Sequence, residues 1–208
     1  MSDRQAARNT IVLLAIVVEG GLVGLALLAG WLLNQPPFSR FAFDPLDALW
    51  GLVAALPMTA AFLVMRRWPV GPLRAIKAFT DEMLRPAMAP CTLVDLLGIS
   101  CLAGLGEEML FRGVLQDFLA GWVAPWLAVA AASALFGLLH AVTAGYAVLA
   151  ALMGAYLGGL YLLTGNLLAP MVTHAAYDFA VLVYVLRGPG APAPPQEEEE
   201  EPEEPAAP

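Results

Sequence analysis

The chain reads as an all-α, polytopic integral membrane helix bundle. Of its 208 residues, 60% are hydrophobic and 13% charged, against about 45–50% and about 25% in soluble domains. Six apolar stretches approach the ~20 residues that cross a ~30 Å hydrocarbon core. They run over about 11–33, 46–65, 92–119, 124–142, 145–163 and 167–187. Breaks bearing proline or glycine, "NQPPFSR", "RRWPVGP", "AGWVAP" and "LTGNLLAP", separate most of them. The spacing predicts about six transmembrane helices and an interfacial helix on the cytoplasmic side.

The first stretch follows Arg4 and Arg8 and is 23 residues long. A signal-peptide core has about 7–15, so a retained membrane helix is expected. After the second stretch come Arg66, Arg67, Arg74, Lys77 and Arg85, while the loop between the first two has Arg40. The excess of positive charge puts the N-terminus, the 66–91 loop and the C-terminus in the cytoplasm. Within that loop, "PLRAIKAFTDEMLRP" sets Leu73, Ile76, Phe79 and Met83 at helical spacing against Arg74, Lys77, Asp81 and Glu82. This is the pattern of an amphipathic interfacial helix over about 72–85.

The membrane-embedded part therefore spans 1–187, with an interfacial helix and, at about 92–187, a core that bears the polar motifs. From 188 to 208 the chain is rich in proline and glutamate, has no apolar face to bury, and is expected to be disordered. Seven of the eighteen acidic residues lie there, so the net charge of −8 belongs mostly to the tail. Cys91 and Cys101 form no metal-ligand spacing and imply no disulfide framework. The expected surroundings are the lipid bilayer, with no nucleic acid as partner.

The third stretch is interrupted by "GEEMLFRG", Gly106–Gly113. A charge at the bilayer centre costs roughly 2.5–3.5 kcal/mol on insertion scales, so such residues persist for pairing or for function. Glu108 and Arg112 are four apart and share a helix face, so they can pair. Glu107 points about 100° away and has no partner in its own helix. "FGLLH" places Phe136 and His140 four apart, and "HAAYD" does the same for His174 and Asp178. These are the two histidines of the chain. Glu19, in the first helix, is expected to snorkel or pair outside this set. With straight, spanning helices, His140 and His174 would differ in depth by roughly 14 Å.

The order E-E-x-x-x-R at Glu107–Arg112, F-x-x-x-H at Phe136–His140 and H-x-x-x-D at His174–Asp178 resembles the CAAX-protease and bacteriocin-processing (Abi) family of intramembrane endopeptidases. The likeness covers roughly residues 70–187. It implies hydrolysis of a peptide bond in a membrane-associated peptide or protein. By the same resemblance, Glu107 is the general base that activates water, and Glu108 is held by Arg112. His140 and His174 position the water, stabilise the oxyanion or bind a metal. Phe136 and Asp178 support them, Asp178 as an acceptor that orients the His174 ring. Glu107, His140 and His174 would be the ligands of one divalent ion, zinc before others, although the family has also been described as metal-free and glutamate-dependent. Members with asparagine at the place of Asp178 have a hydrogen-bond donor there, whereas an ionised aspartate only accepts. The resemblance also implies the cytoplasmic membrane of a prokaryote. Two other readings use the same residues: a non-catalytic immunity or membrane-scaffold binding protein, and a proton-coupled transporter, which the absence of inverted repeats disfavours.

Overall fold

The computed structural model describes residues 3–188, so the acidic tail beyond Gly188 lies outside the described residues. The described residues form seven helices and no strand: α1 Asp3–Leu32, α2 Pro45–Arg67, α3 Leu73–Met88, α4 Leu93–Ala120, α5 Pro125–Leu139, α6 Ala144–Thr164 and α7 Leu168–Arg187. Two of them change winding along their length. α3 is π-helical over Thr80–Leu84, and α4 over Met109–Gln116.

Local chemistry sets the helix starts. Asp44 accepts a hydrogen bond from the Leu46 N–H at 2.8 Å, and Pro45 occupies the first position of α2, where its missing N–H costs nothing. Thr92 and Asp95 form a reciprocal capping box at the start of α4. Asp95 also accepts from Nε and Nη2 of Arg8 at 2.6 and 2.7 Å, which ties the start of α1 to the start of α4. α6 stops at Gly165, whose φ of +64° closes the helix in the left-handed conformation that glycine adopts without strain.

α1, α2, α6 and α7 are each long and apolar enough to cross a membrane. α3 and α4 meet the same test only as a pair, bent 117° from each other. α5 has 15 residues, about 22 Å of helix, and falls short of the hydrocarbon thickness. By length and composition four helices, or five with the bent pair, qualify as spans, where the apolar stretches numbered six. The acids and arginine of α4 separate it from a plain span, and the early end of α5 at His140 accounts for the other.

α7 lies between α2 and α4, α1 covers another side of α4, and the α5–α6 hairpin closes over the π-helical part of α4. Small residues permit these approaches. A Cβ at Gly51 or Gly104 would strike α7 carbonyls, those of Ala169 and Met171, and one at Gly137 would strike the Ala147 carbonyl of α6. The surface of the bundle carries Leu14, Val17, Leu28, Trp50, Leu56, Trp126 and Leu163, all exposed, while Glu107, Glu108, Arg112, Gln116 and His174 are buried. That arrangement inverts a soluble protein and fits lipid as the surrounding solvent. The chain is an integral membrane protein.

In α3, Ile76 is buried as its spacing requires, yet Met83, expected on the same face, is 62% exposed. The π-helical turn at Thr80–Leu84 begins between them and includes Met83. Its wider turn shifts the phase of every later residue. Asp81 accepts from Arg66 Nη1 at 2.7 Å and from Lys77 Nζ at 2.5 Å, fastening α3 to the end of α2.

Candidate active site

Glu107 and Glu108 close the regular part of α4, immediately before its π-helical stretch. Gly104 lets the backbone of α7 come against α4, and a Cβ at Gly106 would strike the Glu19 carbonyl of α1. The two glutamates therefore enter a space bounded closely by α1 and α7. Because neighbours on a helix point about 100° apart, they meet different surroundings.

Glu108 is fully buried and faces fixed partners. Its Oε1 accepts from Arg112 Nη1 at 2.9 Å and from His174 Nδ1 at 2.8 Å. Arg112 is itself buried. Its Nη2 donates to the Gly154 carbonyl of α6 at 2.9 Å, and its guanidinium lies 5.0 Å from the centre of the Phe136 ring. Phe136 stacks on His140 with ring centres 4.3 Å apart. One buried charge pair thus connects α4, α6 and α7, and through Phe136 it reaches the end of α5.

Glu107 faces the imidazoles. His140 Nε2 lies 3.7 Å from Oε1 of Glu107, and His174 Nε2 lies 3.9 Å from Oε2. The other ring nitrogens settle the tautomers. His140 Nδ1 is 2.8 Å from the Phe136 carbonyl, which only accepts, so Nδ1 carries the proton. His174 Nδ1 donates to the Glu108 carboxylate in the same way. Each ring then turns its Nε2 towards Glu107. Oε2 of Glu107 has no hydrogen-bond partner among the described residues although it is buried. Contacts of 3.7 and 3.9 Å leave room for a water to bridge the carboxylate and a ring nitrogen.

The expected depth difference between the histidines does not arise. α5 ends at Leu139 with His140 as its cap, so the ring reaches back along the helix end to Glu107. Asp178 also approaches: its Oδ2 is 3.5 Å from His174 Nε2. The bond that orients the His174 ring comes, however, from Glu108, 66 residues away in sequence. Spacing within one helix cannot show it.

Glu107, His140, His174 and Asp178 line one cavity of about 350 Å³. Glu19 lines it too, with a buried Oε2 that lacks a partner among the described residues. So do Tyr146 and Tyr177. Sequence reasoning left these three aside, since Glu19 and Tyr146 lie on helices without a motif residue and Tyr177, inside "HAAYD", falls between the two residues whose spacing marks the motif. An intramembrane acid is nevertheless a functional candidate by default, and Glu19 carried that signal. A second, apolar cavity of about 660 Å³ adjoins the first between α2 and α6, and the two share Phe62, Met65, Leu149, Met153 and Tyr177.

His140 and His174 approach different oxygens of Glu107. Among the described residues no three His, Cys, Asp or Glu side chains are arranged to hold a metal ion. As placed, the residues do not fit an enclosed zinc site.

Fold and site together define a helical membrane protein with a buried glutamate–histidine centre. Residues 89–180 match the family described as Rce1-like, the type II CAAX prenyl endopeptidases, and the stretch includes every motif residue from Glu107 to Asp178. That match agrees with the resemblance of the motifs to the CAAX-protease and bacteriocin-processing family of intramembrane endopeptidases. No curated protein and no solved structure matches the chain.

Proposed function

We propose that this protein hydrolyses a peptide bond in a membrane-associated peptide or protein, with Glu107 as the general base. The observation that carries the reading is the buried Glu107 carboxylate at the wall of a cavity, its Oε2 without a hydrogen-bond partner among the described residues and its two oxygens faced by the Nε2 atoms of His140 and His174.

In the reaction, a water donates one hydrogen to Glu107 and the other to an imidazole Nε2, which aims an oxygen lone pair at the scissile carbonyl carbon. As the new O–C bond forms, Glu107 takes the proton and the carbonyl electron pair moves onto oxygen. Collapse of the tetrahedral intermediate breaks the C–N bond, and Glu107 returns the proton to the departing amine. Proton transfer by such a base contributes about 10²–10⁴-fold to the rate. Glu108 is unsuited to this work, because Arg112 and His174 hold its Oε1 and, unlike Glu107, it does not line the cavity, although its Oε2 too lacks a partner among the described residues. It fixes the His174 ring instead. His174 stabilises developing negative charge, and Asp178 borders the same nitrogen. No step passes through a metal ion. The adjoining apolar cavity supports a substrate whose flanking part stays in a hydrophobic setting.

The test is isotopic. The purified full-length chain, incubated in vesicles with solubilised host-membrane proteins in ¹⁸O-water, should leave one heavy oxygen in each new C-terminal carboxylate. New termini without the label, or no new termini, would count against hydrolysis.

A further inference from the structure

The 350 Å³ cavity holds more acid than its own wall neutralises. Glu19, Glu107 and Asp178 line it, and among the described residues there His140 and His174 alone can carry positive charge. Glu107 and Asp178 each have an imidazole nitrogen at hand, at 3.7 and 3.5 Å. Glu19 has no ion-pair partner among the described residues, and its buried Oε2 accepts no hydrogen bond from them. Glu107, 8% exposed, brings a second unpartnered oxygen to the same cavity. Buried polar atoms are ordinarily satisfied, so these two mark a place for a ligand's donors.

Two contacts set Glu19 level with Glu107. Arg8 Nε lies 2.6 Å from Asp95 Oδ2, which joins α1 to α4 near their starts. Farther along, a Cβ at Gly106 would lie 2.7 Å from the Glu19 carbonyl oxygen. From Arg8 to Glu19 is 11 residues of α1 and from Asp95 to Glu107 is 12 of α4, roughly 17 and 18 Å of helix. The two helices therefore run side by side and bring both carboxylates to one height. The apolar 660 Å³ cavity adjoins from another side. Its wall comes from α2, α6, Leu73 of α3 and Tyr177 of α7, whereas α1 packs on α4 and the end of α3. A chain that leaves the apolar cavity and crosses Glu107 meets Glu19 beyond it.

We propose that Glu19 is a specificity residue that receives a lysine or arginine side chain of the substrate, on the side of the scissile bond away from the apolar cavity. The inference rests on the hydrolytic reading above and names its substrate class, a membrane-protein segment cut where an apolar run meets a basic flank. Lys and Arg gather beside the ends of membrane helices, so such junctions are plentiful. A cation at this place gives the Glu19 oxygen its donor and offsets the excess of acid. A glutamate there would add a fourth carboxylate to the cavity and be rejected.

The probes are synthetic peptides spanning a cleavage that the wild-type chain makes and Glu107→Gln does not. Lys, Gln or Glu is set in turn at each of the three positions beyond the scissile bond, opposite the apolar run. Full-length protein acts on them in phosphatidylcholine vesicles, whose headgroups carry no net charge. At one of these positions we expect wild-type kcat/KM to be about tenfold or more higher for Lys than for Gln, and lowest for Glu. Glu19→Gln should bring the Lys and Gln values within about threefold of each other. A ratio of two peptides on one variant does not move when a substitution merely loosens the fold. Equal wild-type values for Lys and Gln at all three positions would overturn the proposal. So would a Lys preference that Glu19→Gln leaves intact, including one that Asp178→Asn removes instead. A wild-type chain that cleaves nothing removes the hydrolytic reading itself, and this assignment with it.

Discussion

Arg112 holds a charge where almost no solvent reaches, and its partners define what its loss would do. Glu108, the Gly154 carbonyl and the Phe136 face all depend on it. Arg112→Met would leave Glu108 buried with His174 alone, and breaking a buried pair in this way costs about 3–5 kcal/mol. We expect a correspondingly lower unfolding temperature in detergent and loss of activity. The double variant Glu108→Gln with Arg112→Met should recover part of the stability, because no unpaired charge is left, but not the activity, because His174 loses its charged acceptor and the arginine that holds that acceptor in place. Stability that falls further in the double variant would contradict the pairing. Much at this scale was legible in advance. Glu108 with Arg112 and His174 with Asp178 are both four apart in helices, and that spacing alone puts each couple on one face. The Glu108–His174 bond was not legible, since it joins α4 to α7 through tertiary packing.

Helix α4 offers its own control for close packing. A Cβ at Gly104 would press on the Met171 carbonyl and on Ala175 of α7, whereas one at Gly98 meets nothing within 4 Å. Gly104→Ala should therefore destabilise by about 1–3 kcal/mol and displace Glu107 from His174. Gly98→Ala should be tolerated or mildly stabilising, as alanine suits a helix better than glycine. Thermal unfolding and cleavage rate of the two variants check this, and equal behaviour would contradict the α4–α7 approach. The positions of α1, α2, α6 and α7 followed from apolar length, within a few residues for most ends. Two element-scale features did not. The shortness of α5 depends on the chain turning at His140, and no proline or glycine marks that point. The π-helical stretches of α3 and α4 add a residue to a turn without any change in composition, which is why Met83 faces outward against its expected phase.

For the molecule as a whole, the cavity and its charge decide what can be cleaved and with what help. With the imidazole nitrogens approaching different oxygens of Glu107, we expect cleavage in vesicles to survive prolonged treatment with a strong chelator. Loss of activity that zinc alone restores would contradict that, and would require the Glu107, His140 and His174 side chains to close together around an ion. The cavity wall also carries three acids, Glu19, Glu107 and Asp178, and no Lys or Arg. Peptides with a basic or neutral residue beside the scissile bond should accordingly be cut faster than matched peptides with an acidic one, and the difference should shrink in Glu19→Gln. The acid of α1 joins this wall only because Gly106 admits α1 against α4. Sequence spacing, which works along one helix at a time, cannot foresee a wall built from three.

The decisive comparison is of newly formed peptide termini in membranes of cells that carry the wild-type chain or Glu107→Gln at matched expression. The substitution keeps the side chain's shape and removes its capacity to take a proton from water. We expect a small set of termini present with wild type and absent with Glu107→Gln, which would also name the substrate. Identical termini in both, with any associated phenotype retained, would contradict a catalytic Glu107 and leave a membrane binding protein whose buried charges serve structure.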